Sequence, residues 1–551
     1  MHRLTRMKFP AIAFGLGLAS ALGFAPLNWW FVTLLCLAGL MWLVMGVQRL
    51  RGAALIGWCF GVGHFTFGNN WIAQAFTFQE KMPAWLGGIA VFMLALYLAI
   101  FPAFGAALAW RLNRLPIQIL LRRHQRAVEA RRSKLKGLIP KGMESAVVIA
   151  APAPSPYGFI LLFAGCWIIS EYLRSIVFTG FAWNPLAAIM VAPGSAEPAW
   201  MGLTRLIGTY GLSGFMVLLA GIWVLAFLPG TKRVRWQRVG WALLIAMLAQ
   251  ILSAWMLRPL PPRAAPHIVI VQPNINQNEK WDPKLQQANF SRLSQLTGKP
   301  KAGAPPRLIL WPEAATADFL ELDPEARGRI AALLGPADAI MLGGDSLIFN
   351  KAGDLIGARN ATFAMDGAGR IIGRYDKAHL VPYGEYLPAR PILSAIGLSR
   401  LVQGDVDFWP GPGPASMNVP GFGKAGLQIC YEIIFSGQVI DRHNRPDFLF
   451  NPSNDAWFGR WGPPQHLAQA RLRAAEEGLP VIRSTPTGIS AVIDADGRLL
   501  RSLPWRTAGA IATALPAAQP PTPFARFGNL LPLLFALLLV AAGIAIPLKP
   551  R

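Results

Sequence analysis

The stretch Gly426-Leu-Gln-Ile-Cys430-Tyr-Glu432-Ile-Ile decides how the second half of this chain is interpreted, because an apolar run leads directly to one thiol and one carboxylate. A strand that ends in a sharp bend is a recurrent way to present a nucleophile over a pocket. A single cysteine is more often a small buried hydrophobic residue than a reactive group. The case for Cys430 therefore depends on the residues that accompany it.

Two motifs upstream also place charged residues at the end of an apolar run. They are Trp311-Pro-Glu313 and Tyr375-Asp-Lys377-Ala-His-Leu-Val-Pro-Tyr-Gly-Glu385. A carboxylate can accept a thiol proton, and an ammonium group can stabilise a thiolate and a tetrahedral oxyanion. Taken alone, each charged residue is more often part of a structural ion pair. Taken together, Glu313, Lys377 and Cys430 predict acyl transfer through a thiol, with Glu385 and Glu432 beside the site.

The other cysteines, Cys36, Cys59 and Cys166, all lie inside apolar runs. Cys430 is therefore the one thiol in a polar segment, and the sequence holds no disulfide framework for it to join. No metal-ligand cluster or phosphate-binding loop is evident in the sequence, so we expect neither a metal nor another cofactor.

The composition predicts a membrane protein. Hydrophobic residues make up 53% of the 551 residues, charged residues only 15%, and the mean hydropathy is +0.38. Long apolar runs in such a chain indicate membrane-spanning helices. The net charge of +24 would suit a nucleic-acid-binding protein, but the basic residues concentrate beside apolar segments, as they do in cytoplasmic loops. We therefore expect no nucleic-acid partner.

Eight apolar segments have about the 20-residue length that crosses a bilayer. They cover residues 9–26, 28–47, 52–75, 84–110, 157–179, 203–228, 236–257 and 524–548. The first follows a short basic leader and is similar to a secretory signal peptide, which would be removed. Because a second apolar segment follows almost at once, we interpret the pair as a helical hairpin that stays in the membrane.

The distribution of Lys and Arg predicts the orientation. Basic residues precede the first segment and follow the second, fourth and sixth, whereas the intervening loops hold chiefly Lys81 and Arg205. Both termini are then cytoplasmic, and seven crossings carry the long polar segment to the outer side. The predicted division is a membrane domain at 1–259 with a basic cytoplasmic loop near 111–156, an outer catalytic domain at 260–520, and a last transmembrane helix with a short cytoplasmic tail at 521–551.

Glu171 and Arg174 are charged residues inside the fifth apolar segment, spaced so that they can pair on one helix face. One interpretation is an ion pair that merely stabilises the helix. The alternative is a site that meets a lipid headgroup near the outer surface.

From about His267 onward, short apolar runs alternate with helical patterns and turn signals such as Asp366-Gly and Asp496-Gly. Strands that alternate with helices, together with hairpins, predict an α/β domain whose sheet is not purely parallel. We expect the strand before the thiol to extend from Lys424 to Cys430.

Long, ordered motifs in both parts of the chain resemble the apolipoprotein N-acyltransferases, a membrane branch of the nitrilase or carbon–nitrogen hydrolase superfamily. The motifs are Trp311-Pro-Glu313-Ala, Tyr375-Asp-Lys377-Ala-His-Leu-Val-Pro-Tyr-Gly-Glu385-Tyr-Leu-Pro388, Ile429-Cys430-Tyr431-Glu432, Asn451-Pro-Ser-Asn-Asp-Ala-Trp-Phe458, and Glu171-Tyr-Leu-Arg174 followed by Thr179-Gly-Phe. Two features depart from the family pattern: Tyr383 stands where Phe is expected, and the basic loop is longer and more basic.

The resemblance implies an α-β-β-α sandwich carried outside a bundle of about eight transmembrane helices in the bacterial inner membrane. It implies transfer of a fatty acyl chain from a phospholipid, usually phosphatidylethanolamine, to the α-amino group of the diacylglyceryl-cysteine of an apolipoprotein. Cys430 would form the thioester, Glu313 would accept protons and Lys377 would stabilise the oxyanion. Glu385, Tyr431 and Glu432 match positions beside the site, and Trp281 matches an aromatic on the substrate side. We expect a monomer.

Two other functions remain open at this point. A membrane-anchored hydrolase of the same superfamily would use the same three residues with water, but it would need only one or two anchoring helices. A transporter or assembly scaffold would use the outer domain for binding alone. Release of lysophospholipid separates the first alternative from acyl transfer, and a Cys430→Ser variant separates the second.

Overall fold

The structure is a computed structural model that describes residues 2–78, 83–134, 154–194, 200–257, 265–395 and 407–546. Lys81, the 259/260 domain boundary and the end of the predicted cytoplasmic tail lie outside the described residues. Helices form the first part of the chain, two β-sheets and their covering helices form the second, and a further helix follows.

The helices of the first part alternate with short connections. They are α1 (His2–Ser20), α2 (Trp30–Gly46), α3 (Leu50–Gly68), α4 (Ile72–Ala75), α5 (Leu86–Leu98), α6 (Ile100–Lys134), α7 (Pro156–Ile176), α8 (Thr204–Phe227) and α9 (Lys232–Met256). The second part contains α10 (Gln277–Lys280), α11 (Gln286–Thr297), α12 (Pro324–Ala331), α13 (Arg390–Ala395) and α14 (Gly462–Glu477), and the chain continues into α15 (Pro523–Phe527) and α16 (Leu530–Ala545).

Each apolar segment of the sequence contains helix. Among the described residues, four helical stretches are long and apolar enough to cross a membrane: Leu86–Gln118, Pro156–Ile176, Met201–Phe227 and Lys232–Met256. Shorter apolar helices lie at Lys8–Gly23, Trp30–Gly46 and Leu530–Ala545. These helices are compatible with a membrane domain, and the number that cross a bilayer stays a prediction.

Helix α9 exposes most of its large apolar side chains. Trp241 is 68% exposed, Ile245 61% and Trp255 64%, and Ser253 is its one buried residue. Scattered exposed apolar residues are ordinary, but a contiguous apolar face of this size indicates contact with a partner or with lipid. The face of α9 therefore has the composition of a helix in a membrane.

The predicted basic loop near 111–156 is helical in its first part. Helix α6 continues without interruption to Lys134, so it is 35 residues long and spans about 52 Å. Lys and Arg are good helix formers, which explains why a basic segment extends the apolar helix instead of forming a loop. Residues 135–153 lie outside the described residues.

Two six-stranded sheets form the second part. The first has the order β12-β1-β2-β3-β4-β5 and the second β11-β10-β9-β8-β7-β6. In each sheet three central strands, β1-β2-β3 and β7-β8-β9, run parallel, and the flanking strands are antiparallel. The strands are β1 (His267–Gln272), β2 (Arg307–Leu310), β3 (Ala339–Phe349), β4 (Leu355–Asp366), β5 (Ile371–Asp376), β6 (Ser416–Val419), β7 (Gly423–Leu427), β8 (Phe448–Pro452), β9 (Val481–Ser484), β10 (Ala491–Ile493), β11 (Leu499–Ser502) and β12 (Gly509–Ala514).

The sheets stack face to face with helices on the outside. In β1, Ile268 and Ile270 point into the core between the sheets, whereas Val269 and Val271 pack in a second core with helices α11 and α12. Strand residues alternate between faces, so both faces of this sheet must be apolar. The α/β prediction with mixed sheets is confirmed, and the layer order is helix, sheet, sheet, helix.

Helix α14 is the outer layer on the second sheet, and it also touches the apolar helices. Ala470 and Ala474 pack in the core of the sheets, whereas Ala468, Leu472 and Ala475 pack with the helices of the first part. Every residue of α14 except Pro464 and Leu467 is buried, because both of its sides are covered.

Polar contacts also join the helical part to the sheets. Arg205 Nη2 lies 2.6 Å from Asp496 Oδ1, and both side chains are buried. Inside α8, Gly208 has φ of +65° and interrupts the helix. The freed N–H of Thr209 donates to Glu476 Oε1 at 2.6 Å. The two parts therefore share buried, specific hydrogen bonds.

Candidate active site

Three strand ends bring the predicted residues together. Glu313 follows β2 by three residues, Lys377 follows β5 directly, and Cys430 follows β7 by three. All three side chains are buried. Lys377 Nζ lies 3.7 Å from Glu313 Oε1 and 2.9 Å from Glu385 Oε1. The structure thus places a carboxylate, an ammonium group and a thiol in one site between the two sheets.

Cys430 occupies a sharp bend. The predicted strand to Cys430 is wrong at its end: β7 stops at Leu427, and a 3₁₀ turn begins at the cysteine. Cys430 has φ of +50°, in the left-handed region that side chains other than glycine rarely adopt. Such strain is found where surrounding contacts hold a functional side chain in place. The carbonyl oxygen of Cys430 accepts from His466 Nε2 at 3.1 Å and from Asn451 Nδ2 at 3.3 Å.

The charges around Cys430 act on its thiol in opposite directions. Burial raises the pKa of Cys430, the carboxylate of Glu313 raises it further, and the ammonium group of Lys377 lowers it. The net pKa lies above the ordinary value, so the resting thiol carries its proton. A base must therefore remove that proton. Glu313 Oε2 is buried and has no hydrogen-bond partner among the described residues, so its lone pairs are available for this step.

Lys377 is held as a cation by two carboxylates. Its burial would lower the pKa of the ammonium group, but the charges of Glu385 and Glu313 outweigh the burial and raise that pKa above its ordinary value. Glu385 Oε2 in turn accepts from the backbone N–H of Val381 at 2.8 Å. The lysine therefore stays protonated and is fixed at its tip.

Asn360 is a site residue that the sequence analysis missed. Its Nδ2 donates to Glu313 Oε1 at 2.7 Å and to Glu385 Oε1 at 2.8 Å. One amide thus separates and orients the two carboxylates that flank Lys377. Asn360 lies inside strand β4, so no strand end or charged motif marked it in the sequence.

Glu432 connects the lysine segment to the cysteine bend. Its Oε1 accepts from Tyr375 Oη at 2.9 Å and from the backbone N–H groups of Ala378 and His379 at 2.8 and 3.1 Å. Its Oε2 accepts from the N–H of Ile429 at 2.7 Å. Burial raises the pKa of Glu432 to about 7, and these hydrogen bonds limit the rise. Glu432 thus fixes the two segments that deliver Lys377 and Cys430.

Tyr431 and His379 lie on the side of the site that faces the helical part. Tyr431 Oη donates to the carbonyl of Gly180 at 3.4 Å, and His379 Nε2 lies 2.8 Å from the carbonyl of Thr179. The ring of His379 stacks on Phe435 with 3.8 Å between centroids. The Thr179-Gly180 segment of the helical part is therefore next to the bend at Cys430.

Lys280 and Trp281 lie on another side of the site. Lys280 was not among the predicted site residues, yet its Nζ donates to the carbonyl of Glu313 at 3.0 Å and lies 5.6 Å from the centroid of the Trp281 ring. Burial lowers the pKa of Lys280 to about 8, while the charges of Glu313 and Cys430 oppose that shift. Trp281 is 37% exposed, so it forms part of the rim.

Glu171 and Arg174 are both buried in α7, and both contact the loop that follows it. Glu171 Oε1 accepts from the N–H of Leu186 at 2.7 Å, and Arg174 Nη1 donates to the carbonyls of Phe181 and Trp183 at 2.7 and 2.8 Å. The ion pairs among the described residues do not include one between Glu171 and Arg174. Both side chains instead hold the loop that follows α7, and a role toward a lipid headgroup stays a prediction.

The described residues contain no group of three or more His, Cys, Asp or Glu side chains that could hold a metal ion. The chemistry available at this site comes from side chains: a thiol that can attack, a carboxylate that can take its proton, and cations that can stabilise negative charge.

The chain is similar to known proteins over nearly its whole length. It matches the family models Apolipoprotein N-acyltransferase N-terminal domain over residues 16–222 and Carbon-nitrogen hydrolase over residues 268–519. It is 33% identical to the apolipoprotein N-acyltransferase of Bradyrhizobium diazoefficiens, over 98% of this chain and 94% of that protein. The corresponding proteins of Rhodopseudomonas palustris (95% of this chain, 92% of that protein) and Caulobacter vibrioides (97% and 93%) are each 32% identical.

Among solved structures, an amidase from Nesterenkonia sp. AN1 is 16% identical, covers 50% of this chain and 95% of its own, and has a TM-score of 0.33. A likeness at this score is too low to carry an argument about the site.

Proposed function

We propose, because this chain belongs to the apolipoprotein N-acyltransferase family, that it transfers a fatty acyl chain from phosphatidylethanolamine to the α-amino group of the diacylglyceryl-cysteine of apolipoproteins. The observation that carries the mechanism is the meeting of Glu313, Lys377 and Cys430 in one buried site. The substrates are lipid and lipoprotein, and the setting is a membrane.

In the first half of the reaction, Sγ of Cys430 attacks the ester carbonyl carbon of the donor. Glu313 takes the thiol proton as the sulfur–carbon bond forms. The tetrahedral intermediate then breaks its carbon–oxygen bond, and the proton passes from Glu313 to the departing lysophospholipid oxygen. The products are a thioester on Cys430 and a free lysophospholipid.

In the second half, the α-amino nitrogen of the acceptor attacks the thioester carbon. Glu313 takes a proton from the nitrogen, the carbon–nitrogen bond forms, and the carbon–sulfur bond breaks. The proton returns to the sulfur. One thiol thus serves both substrates in turn, and the enzyme ends in its starting state.

Both halves develop negative charge on the carbonyl oxygen, and the site offers two donors for it. Lys377 stays protonated because the negative charges of Glu313 and Glu385 stabilise its ammonium form. The N–H of the residue after a nucleophile at such a bend is the usual second donor, which here is Tyr431. Removal of one such donor typically costs about 3 kcal/mol in activation free energy.

The proposed topology has about eight crossings of the bacterial inner membrane, both termini in the cytoplasm and the catalytic part in the periplasm. Its support is the distribution of basic residues in the sequence and the exposed apolar face of α9. We propose that the protein acts as a monomer. Glu385, Glu432 and Asn360 hold the reacting groups in place, and Trp281 lines the approach to the site.

The test is the intact mass of the purified protein after incubation with phosphatidylethanolamine. We expect an added fatty-acyl mass that maps to Cys430, with lysophospholipid released in equal amount. The Cys430→Ala variant should show no adduct. Cys59→Ala is the matched control, because Cys59 is a free, partly buried thiol in α3, and it should acylate like the wild type. A folded wild-type protein that forms no adduct contradicts the thioester mechanism.

A further inference from the structure

Behind the nucleophile lies a fully buried group of polar side chains that the acyl-transfer steps do not use. It consists of His466 on α14, Asp455 and Asn451 near the end of β8, and Arg483 on β9, each with no exposed surface. Burying four polar side chains is costly unless they are hydrogen-bonded to one another. The hydrogen bonds within the group and to its neighbours therefore indicate what it does.

The hydrogen bonds define the state of His466. The carbonyl oxygen of Cys430 can only accept, so His466 Nε2, 3.1 Å away, must carry the proton. Burial and the charge of Arg483 lower the pKa of His466, and the carboxylate of Asp455 opposes that shift. Nδ1 of the ring lies 3.0 Å from Asp455 Oδ1 and 2.9 Å from Arg483 Nη2, which itself donates to Asp455 Oδ2 at 2.5 Å. Arg483 and Asp455 thereby fix the direction of the ring.

The ring of His466 is also fixed by its neighbours. Its centroid lies 5.2 Å from that of Trp183 and 5.6 Å from that of Phe458. The ion pair at one edge and the packing against these two rings together hold the ring of His466 in one orientation. In this orientation Nε2 of His466 points at the carbonyl oxygen of Cys430, the residue with the left-handed backbone.

The carbonyl of Cys430 and the N–H of Tyr431 belong to one peptide group, and in a trans peptide they point in opposite directions. His466 and Asn451 grip the carbonyl from the side of α14 and the second sheet. The N–H of Tyr431 must then point away from them, toward the side on which the first sheet supplies Lys377. The two hydrogen bonds to the carbonyl of Cys430 therefore set the direction of the Tyr431 N–H, the proposed oxyanion donor, and the position of the Cys430 thiol.

We propose that His466, held by Asp455 and Arg483, is a positioning residue: its Nε2–H fixes the Cys430–Tyr431 peptide plane in the orientation that acyl transfer requires. The proposal rests on the proposed role of Cys430 as nucleophile. His466 does not touch substrate and exchanges no proton in the reaction. Its effect is on the rate of the chemical step, while binding of the phospholipid donor is unchanged.

The test compares two amide variants of His466. The side chain of His466→Gln can place its N–H₂ group near the position of Nε2 and still reach the carbonyl of Cys430. His466→Asn has the same chemistry but is one carbon shorter and cannot reach it. His466→Phe keeps the ring contacts and removes the donor. Gln469→Leu is the control, since Gln469 is a fully buried polar residue on the same helix whose Nε2 donates to the carbonyl of Gln465 within α14.

The readout is the rate of acyl-enzyme formation, followed by intact mass at several phosphatidylethanolamine concentrations. Here kcat is the maximal rate constant of this half-reaction, and KM is the donor concentration that gives half of it. We expect kcat to fall about 100-fold in His466→Asn and His466→Phe, as for a misplaced reacting group, with KM close to that of the wild type. His466→Gln and Gln469→Leu should keep most of kcat. Equal kcat in the Gln and Asn variants would overturn the proposal, whether or not the Phe variant folds.

A second readout separates this proposal from the proposed function. Iodoacetamide alkylation of Cys430, followed by peptide mass mapping, requires no lipid. Because a thiol turned away from Lys377 loses the cation that favours its ionised form, alkylation at pH 8 should be slower in His466→Asn than in His466→Gln. A wild type that forms no acyl-enzyme refutes the proposed function, whereas equal alkylation rates in the two amide variants refute the positioning role.

Discussion

Glu432→Gln is the substitution that tests most directly how the site is held together. The carboxylate accepts four hydrogen bonds, from Tyr375, Ala378 and His379 at Oε1 and from Ile429 at Oε2. Gln has one carbonyl oxygen and one N–H₂ group. In either orientation of the amide, at least one donor of the site faces another donor.

The expected change in stability follows from the pKa of Glu432 and from these contacts. The pKa is raised from 4.5 to about 7 although the carboxylate accepts these hydrogen bonds, so keeping the group ionised at pH 8 costs about 3 kcal/mol with the hydrogen bonds included. The amide removes this cost, but one buried N–H left without an acceptor costs about 1–3 kcal/mol. The free energy of unfolding of Glu432→Gln should therefore stay close to that of the wild type.

Glu477→Gln provides a matched control, because the same change removes a buried charge there without removing a hydrogen bond. Burial and the charge of Glu476 raise the pKa of Glu477 to about 7 as well. Neither of its side-chain oxygens has a hydrogen-bond partner among the described residues, and Arg445 Nη1 is 3.9 Å away. The amide removes a buried charge and loses no hydrogen bond. Glu477→Gln should therefore leave stability at pH 8 unchanged or raise it by up to about 3 kcal/mol.

The assay has two parts: thermal unfolding in detergent at pH 8 followed by tryptophan fluorescence, and the acyl-enzyme time course by intact mass. Glu432→Gln should unfold at a lower temperature than Glu477→Gln. It should also form the thioester about 100-fold more slowly than the wild type, because both segments that deliver the reacting groups shift. If the two variants have the same rate and the same unfolding temperature, the assignment of Glu432 as the connection between these segments is wrong.

Three further predictions use the same assays. The pKa of Glu477 is higher in the folded than in the unfolded state, so the wild type should lose about 3 kcal/mol of stability more than Glu477→Gln as pH rises from 4.5 to about 7; parallel pH profiles of the unfolding temperature would contradict this. Asn360→Leu should slow acyl-enzyme formation about 100-fold, since it removes the donor shared by two carboxylates, and a wild-type rate in the folded variant would refute that role. Lys280→Met should slow thioester formation about tenfold at pH 7, and Lys280→Arg should restore most of the rate, because the cation beside the site lowers the cost of thiolate and oxyanion charge; equal rates in the two variants would exclude a role for the charge.

The sequence was sufficient for the residues that stand at strand ends. Apolar runs before Glu313, Lys377 and Cys430 predicted strands, and the structure has β2, β5 and β7 there. β2 and β5 belong to the first sheet and β7 to the second, so the three residues meet because the two sheets stack face to face, which the local sequence pattern does not encode. The exact end of β7 could not be predicted, because Ile429 is apolar like Leu427 and the sequence shows no break between them, although the strand already ends at Leu427.

Residues inside regular elements gave no comparable signal. Asn360 lies within β4 and His466 within α14, and in each case neighbouring residues follow the ordinary pattern of a strand or a helix. Their importance depends on which side chain the fold brings opposite them. Asn360 meets two carboxylates from other segments, and His466 meets the carbonyl of Cys430, 36 residues earlier in the chain. Local periodicity carries no information about such distant pairs.

Helix α14 explains how the thiol keeps a fixed position relative to the apolar helices. At its C-terminal end, Glu476 accepts from the N–H of Thr209 where α8 is interrupted, and Arg473 Nη1 donates to the carbonyl of Ile434 at 2.9 Å. Nearer its N-terminus, His466 holds the carbonyl of Cys430. One rigid element therefore contacts both α8 of the apolar helices and the bend that carries Cys430, the proposed nucleophile. A thiol that must meet acyl chains anchored in a bilayer needs a fixed distance from that bilayer. A helix buried on both sides supplies it, because its packed side chains have no room to shift.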